Sequence, residues 1–264
     1  MEDLHLYPVC PLCHADLLVE LGSVDCTHHE RYSAPLSPQM HWRRCEQCRH
    51  VFRSGYYTDE ANEILFRGTN ENQVVGFDML GQRWISARMV DRVLPFQSGG
   101  MWLDVGFGNG SLLMTAQEYG FDPIGLDLRQ GTVDAMRELG VQAECMDFCS
   151  AMLEPKCSVI SMADVLEHMP DPRAALESAH RNLVEGGVLL LSMPNMDAPL
   201  WHVMDAEGVN PYWSEIEHVH NFGRRRLYEL LEEFSFTPVQ YGVSERYPVC
   251  MEVIALRREP VVTP

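Results

Sequence analysis

At 264 residues with 46% hydrophobic content, the chain is long enough for one substantial α/β domain and a small appendage. A net charge of −18, from 20 Lys+Arg against 38 Asp+Glu, repels a phosphate backbone and argues against a nucleic-acid partner. No apolar run is long enough to span a bilayer, Met1-Glu2-Asp3 lacks the basic start of a signal peptide, and nine cysteines without a secretion signal read as thiols or metal ligands, so the expected location is the cytoplasm.

Residues 1–55 read as a metal-held module. Cys10-Pro-Leu-Cys13 and Cys45-Glu-Gln-Cys48 are two C-x-x-C pairs separated by 31 residues, and each pair can form a knuckle that presents two sulfurs to one ion. Four sulfurs suit structural zinc and leave no open position for water. Cys26, His28 and His29 lie between the pairs and are alternative ligands. Met40–Arg44 and Val51–Arg53 read as hairpin strands around the second knuckle, in a module too small to bury a core without its metal. Residues 56–98 read as a helical linker that covers a cofactor, with Ile85, Met89, Val90 and Val93 on one helical face and Gln97-Ser-Gly-Gly100 as a break.

Residues 99–264 read as the main domain. Trp102–Val105 is a buried strand, Gly106, Gly108 and Gly110 form the turn after it, and Ser111–Tyr119 is a helix. Glycines without Cβ admit a ligand to the backbone, and a second strand ends at Asp127, placed to accept two ribose hydroxyls. The spacing is G-x-G-x-G, where a dinucleotide site has G-x-G-x-x-G, and Asp104 sits two residues before the first glycine. A carboxylate there repels pyrophosphate and suits the ammonium and sulfonium of S-adenosylmethionine (SAM).

Helix 130–139, strand 141–145 and strand 157–163 follow, with the loop 164–171 at the carboxyl end of the last, where an open parallel sheet binds ligands. Gly186-Gly187 is expected to end the next helix before strand 188–192. The aromatic stretch at about 194–222 lacks periodicity and reads as a substrate lid. It ends in Glu215-Ile-Glu217-His218-Val-His220-Asn-Phe222, which in extended backbone puts His218 and His220 on one side as material for a general base; either could instead cap the helix 224–234. Val239–Val243 and Val249–Leu256 read as a closing antiparallel pair.

Leu103-Asp-Val-Gly-Phe-Gly-Asn-Gly110, Gly125-Leu-Asp127, Asp164-Val-Leu-Glu-His-Met-Pro-Asp-Pro172 and Glu185-Gly-Gly-Val-Leu-Leu-Leu191 resemble class I SAM-dependent methyltransferases over about residues 80 to 255, nearest to the ubiquinone-type O-methyltransferases and related sugar methyltransferases. The resemblance implies a Rossmann-like seven-stranded α/β sheet with its last strand antiparallel. It also implies a cofactor site of Asp104, Gly106, Gly108, Gly110, Asp127, Leu128, Asp147, Phe148, Ala163 and Asp164. In that site Asp147 would accept from the adenine amino group and Phe148 would pack on the ring, although Asp147 could also cap the following turn. Asp164, Glu167 and His168 match positions associated with a divalent metal and catalysis, with Asp at the first where that family usually has Glu; Glu167 and His168 could also be hydrogen-bonded structurally.

The implied reaction is methyl transfer to a small-molecule acceptor, most simply a hydroxyl, with His168, His218 or His220 as base and Glu167 or Glu217 orienting the imidazole. Cys10-Pro-Leu-Cys13-His14 also resembles the start of zinc-bearing rRNA methyltransferases, a rival that the charge and the lack of a basic stripe oppose. A third reading is a SAM-binding scaffold without catalysis.

Overall fold

The structure is a computed structural model that describes residues 3–67 and 70–259. Five short strands open the chain: β1 (Leu4–Leu6), β2 (Leu18–Asp25), β3 (Gln39–Cys45), β4 (Val51–Arg53) and β5 (Gly55–Tyr57). β2, β3 and β4 pair antiparallel in sequence, with Leu18 opposite Cys45 and Arg44 opposite Val51, while β5 pairs with β1. Helix α1 (Asp59–Leu65) starts where the Thr58 hydroxyl accepts from the Ala61 amide, with Asp59 and Glu60 at its positive end.

The next stretch alternates helix and strand. It runs α2 (Met79–Val93), β6 (Gly100–Val105), α3 (Ser111–Glu118), β7 (Phe121–Asp127), α4 (Gln130–Glu138), β8 (Gln142–Cys145), β9 (Cys157–Ala163), α5 (Pro172–Asn182) and β10 (Leu183–Pro194). The chain then passes through α6 (Pro199–Ala206), β11 (His220–Asn221) and α7 (Arg224–Glu233) to β12 (Phe236–Val243) and β13 (Cys250–Arg257).

Seven strands make one sheet in the order β12-β13-β10-β9-β6-β7-β8. β10, β9, β6, β7 and β8 are mutually parallel and β12 runs antiparallel to β13, the sheet expected from sequence. β6 lies between β7 and β9, so the strand order reverses there, and the ends of β6 and β9 open the crevice where such sheets bind ligands. On one face Met89, Val90 and Val93 of α2 and Leu112 and Ala116 of α3 pack with Trp102, Val159 and Leu190. The other helical layer buries Val133 and Met136 of α4 with Phe107 and Leu113.

By contacts the chain divides into two compact units. One comprises Met1–Thr69, Glu167–Pro172 and Pro194–Leu227, and the other Asn70–Leu166, Arg173–Met193 and Tyr228–Pro264. The first has its own core, in which Met40, Trp42, Val51, Tyr57, Leu65 and Ile216 are buried together. The aperiodic stretch at 194–222 therefore packs with the cysteine module: β11 extends the small sheet, His220 opposite Phe52, to give the order β11-β4-β3-β2. β10 also begins earlier than the glycine pair suggests. Leu183 already pairs with Cys157, and Glu185-Gly186-Gly187, with Gly186 at φ +69°, forms an irregularity before pairing resumes at Val188. No helix among the described residues is long and apolar enough to cross a membrane.

Candidate active site

The glycine turn follows β6 as its sequence requires. Gly106, Gly108 and Gly110 have φ of +63°, +53° and +79°, the left-handed region that side chains disfavour. Their surroundings differ. A Cβ on Gly106 would come within 2.9 Å of Val165 Cγ2 and one on Gly110 would strike Met136, whereas one on Gly108 would meet nothing closer than the Gly106 carbonyl at 4.0 Å. The space over Gly108 is thus open to a ligand.

Asp104, next to this turn, is 3% exposed. Trp102 Nε1 donates to Ser161 Oγ at 2.9 Å, and Ser161 Oγ donates to Asp104 Oδ1 at 2.6 Å. Burial pushes the Asp104 carboxyl up to about 7, with the Ser161 hydroxyl pulling back only part of the way. A carboxylate so poorly solvated gains strongly from a cationic ligand, which is the charge SAM brings.

The remaining expected cofactor residues lie on neighbouring strand ends. Asp127, 6% exposed, holds Arg129: its Oδ1 accepts from Arg129 N and Nε at 2.9 Å, and Nη2 lies 2.9 Å from Oδ2. Arg129 also reaches Gln73 Oε1 at 2.9 Å. Asp147 caps the turn Phe148–Ser150 by accepting from Cys149 N at 3.0 Å. Phe148 is packed inside at 2% exposure, Leu128 stands 74% exposed, and Ala163 closes β9 at intermediate burial. Asp164 has φ +58° and is committed to Arg246, whose Nε donates to Oδ2 at 2.7 Å, and to the Ser192 hydroxyl at 3.3 Å. Arg246, in the β12–β13 turn, carries no sequence motif that marks it.

The catalytic candidates belong to the other unit. Glu167, His168 and His218 offer ligand atoms within 4.8 Å of one another. The His168 and His218 rings meet edge to face at 4.8 Å, and His218 stacks on Tyr212 at 5.8 Å. His168 Nδ1 donates to the Glu217 carbonyl at 3.0 Å, which leaves Nε2 as the basic nitrogen. Burial opposes charge on His168, but the Glu167 and Glu217 carboxylates outweigh it and raise its pKa. His218 goes the other way: burial and then the neighbouring His168 drive it down to about 3. Its Nδ1 has no hydrogen-bond partner among the described residues.

His220 is bonded at both nitrogens, Nε2 to the Met169 carbonyl at 3.0 Å and Nδ1 to His50 Nε2 at 3.0 Å. Burial lowers it to about 3. Around these groups, Arg31 Nε lies 3.2 Å from Glu217 and His29 Nε2 lies 2.8 Å from Glu215. Burial raises Glu215, and the His29 bond more than reverses this, holding its carboxyl at about 2.

A family profile for a methyltransferase domain matches residues 82–241, which is more than half of the chain. This chain belongs to the methyltransferase-domain family. The family profile and the curated relatives make it a methyltransferase. It is 26% identical over 175 residues to a ubiquinone biosynthesis O-methyltransferase of Alkalilimnicola ehrlichii, covering 57% of this chain and 71% of that protein. It is 29% identical over 115 residues to the protein of the same name from Pseudomonas paraeruginosa, covering 40% of this chain and 50% of that one. The chain thus spans between half and about seven tenths of the length of these relatives. Its fold is shared with the 1,6-didemethyltoxoflavin-N1-methyltransferase of Burkholderia thailandensis, solved with S-adenosylhomocysteine: TM-score 0.53, 20% identity, 69% of this chain and 80% of that one.

The methyltransferase also brings its four knuckle cysteines together. Cys10 and Cys48 sulfurs lie 3.6 Å apart and Cys13 and Cys45 sulfurs 3.5 Å, close to the edge of about 3.8 Å that tetrahedral Zn–S bonds of about 2.3 Å define. Cys26, the alternative ligand, instead points its thiol to the Ser37 carbonyl at 3.5 Å. The four sulfurs and their spacing fit zinc. Residues that sequence reasoning missed are partners at long range, namely Ser161 for Asp104, Arg246 for Asp164, His50 for His220 and Arg31 for Glu217. Isolated polar residues 57 to 186 positions from their partners give no local pattern.

Proposed function

We propose that this methyltransferase transfers the methyl of SAM to a hydroxyl of a small-molecule acceptor, with His168 as general base and the segment at about 194–222 determining which acceptor is taken. Methyl transfer is an in-line displacement, so holding the acceptor oxygen against the methyl carbon supplies much of the rate. A hydroxyl must also lose its proton. The observation that carries the assignment is the tautomer of His168: Nδ1–H is tied to the Glu217 carbonyl, which fixes the ring and turns the Nε2 lone pair outward from that bond. Glu167 and Glu217 raise the proton affinity of that nitrogen. His218 stays neutral beside it, and His220, bonded at both nitrogens, serves the framework. Asp104 binds the cationic methionyl part of SAM, Asp127 its ribose, and zinc holds Cys10, Cys13, Cys45 and Cys48 in a structural site.

The test is a screen of hydroxylated and amine-bearing metabolites with methyl-labelled SAM, repeated on His168→Asn and His218→Asn. His168→Asn is expected to leave SAM affinity unchanged, slow turnover by about 10²-fold or more, and remove the acidic limb of the pH–rate profile. Unchanged turnover removes His168 from the mechanism, and labelled products confined to amine acceptors overturn the hydroxyl assignment. A second reading is favoured by the same cluster, since Glu167, His168 and His218 make a donor set suited to a divalent ion. Turnover that disappears on chelation and returns with Mg²⁺ or Mn²⁺ would support it.

A further inference from the structure

The chain has 19 arginines and 1 lysine against 38 acidic residues, yet four of those arginines, Arg44, Arg49, Arg225 and Arg226, line one cavity of about 440 Å³. The cavity is formed by the end of β3, the second cysteine knuckle, β11 and the start of α7. The first amides of α7 do not supply it, because Arg224 N and Arg225 N already donate to Asn195 and Asp197 side chains. Its chemistry comes from side chains.

Two of these are buried polar groups with unused capacity. Asn221 is 1% exposed, lines the cavity, and neither its Oδ1 nor its Nδ2 has a hydrogen-bond partner among the described residues. Stripping an amide of water without replacing its bonds is costly, so such a group marks a place where a ligand completes the structure. His50 also lines the cavity, and its Nδ1 has no partner among the described residues. The Met169 carbonyl can only accept, so His220 Nε2 donates to it and neutral His220 Nδ1 accepts from His50 Nε2–H. His50 Nδ1 is therefore a lone pair.

The cavity then offers guanidinium donors, an amide that can donate and accept, and one imidazole acceptor. Its complement is an oxyanion that also carries a hydroxyl. Arginine forks match phosphoryl oxygens, and the volume holds a phosphoryl group with a small body attached. Part of the positive charge is already answered: Glu46 lies 2.7 Å from Arg44 and 3.3 Å from Arg49, and the Asp197 carboxylate, which accepts from Arg225 N, also lines the cavity. Neither contact uses the Asn221 amide or His50 Nδ1.

We propose that this cavity is a second ligand site, independent of methyl transfer, that binds a phosphoryl group bearing or adjoining a hydroxyl, either as inorganic phosphate or as the phosphate ester of a small hydroxylated metabolite. Calorimetric titration of the full zinc-loaded chain with inorganic phosphate, glycerol 3-phosphate and sulfate at fixed ionic strength tests it. Binding of a phosphoryl ligand with sulfate at least tenfold weaker is the expected result, because sulfate at neutral pH has no proton for His50 Nδ1 to accept. A tighter glycerol 3-phosphate identifies an ester, and a tighter inorganic phosphate the free anion. Arg49→Gln with Arg225→Gln, both exposed positions, should weaken phosphoryl binding tenfold or more and leave SAM affinity unchanged. Asn221→Asp should abolish it by adding a buried carboxylate to the one Asp197 already presents and removing the amide donor. The assignment is overturned by absence of heat with both phosphoryl ligands, by equal affinity for sulfate, by unchanged binding in the variants, or by a single-stranded RNA that binds more tightly than either.

Discussion

Asp104 shows how a residue visible in sequence acquires its chemistry from partners that are not. Its place before the glycine turn marks it as a candidate acid for the proposed cationic cofactor, but the Ser161 hydroxyl that steadies it lies 57 residues away on β9, and Trp102 steadies that hydroxyl in turn. Burial pushes Asp104 from the ordinary 3.8 to about 7. An acid with a raised folded pKa contributes stability below its unfolded value and loses that contribution as pH rises through the folded one. The free protein should therefore lose stability between pH 4 and pH 7 through this group, and a bound cation should restore it. SAM needs the ionised form, so its affinity should strengthen by about tenfold from pH 6 to pH 8 as that form fills. Calorimetry across this range checks the slope, with Asp104→Asn as control because its amide removes the titration. A flat wild-type profile, or an equal slope in the variant, removes Asp104 from cofactor binding.

At the level of elements, legibility followed the length and periodicity of each segment. β6, α3, β7, α4 and β9 could be read because a buried strand or a one-sided helix repeats its pattern over several residues. β11 could not, since two residues have no period and their partner strand β4 lies far away in sequence. The glycine turn was legible as a unit, but only the structure separates its members. A Cβ on Gly106 would press on Val165 and one on Gly110 on the movable tip of Met136, whereas Gly108 faces open space. Gly108→Ala should cost only about 1–2 kcal/mol for an alanine in left-handed backbone, leaving a folded protein. Its methyl group would nevertheless stand where the cofactor approaches, so SAM affinity should fall tenfold or more in a titration of the variant. Gly108→Ala that binds SAM as tightly as the parent would show that the cofactor does not pass over this residue.

Across the whole molecule, the two units draw their stability from different sources. The seven-stranded unit buries a continuous apolar core on both faces of its sheet, while the other unit has a smaller core and four cysteines whose sulfurs converge. The smaller unit also holds every catalytic candidate, because Glu167–Pro172 and Pro194–Leu227 belong to it. The links are direct: β11 pairs with β4 a few residues after the second knuckle, Arg53 N donates to the Val219 carbonyl at 2.8 Å, and His220 bonds His50. A structural zinc on the four cysteines, as proposed, would contribute folding energy outright, so removing it should loosen β4 and, through those bonds, the His218–Phe222 run. Chelation of the proposed zinc should accordingly abolish turnover and raise amide exchange at residues 218–222 at least tenfold, while residues 101–113 remain protected and SAM still binds. Exchange at 218–222 that is indifferent to the metal would detach the cysteine site from the catalytic cluster. Loss of SAM binding in step with turnover would mean instead that the seven-stranded unit cannot stand without its neighbour.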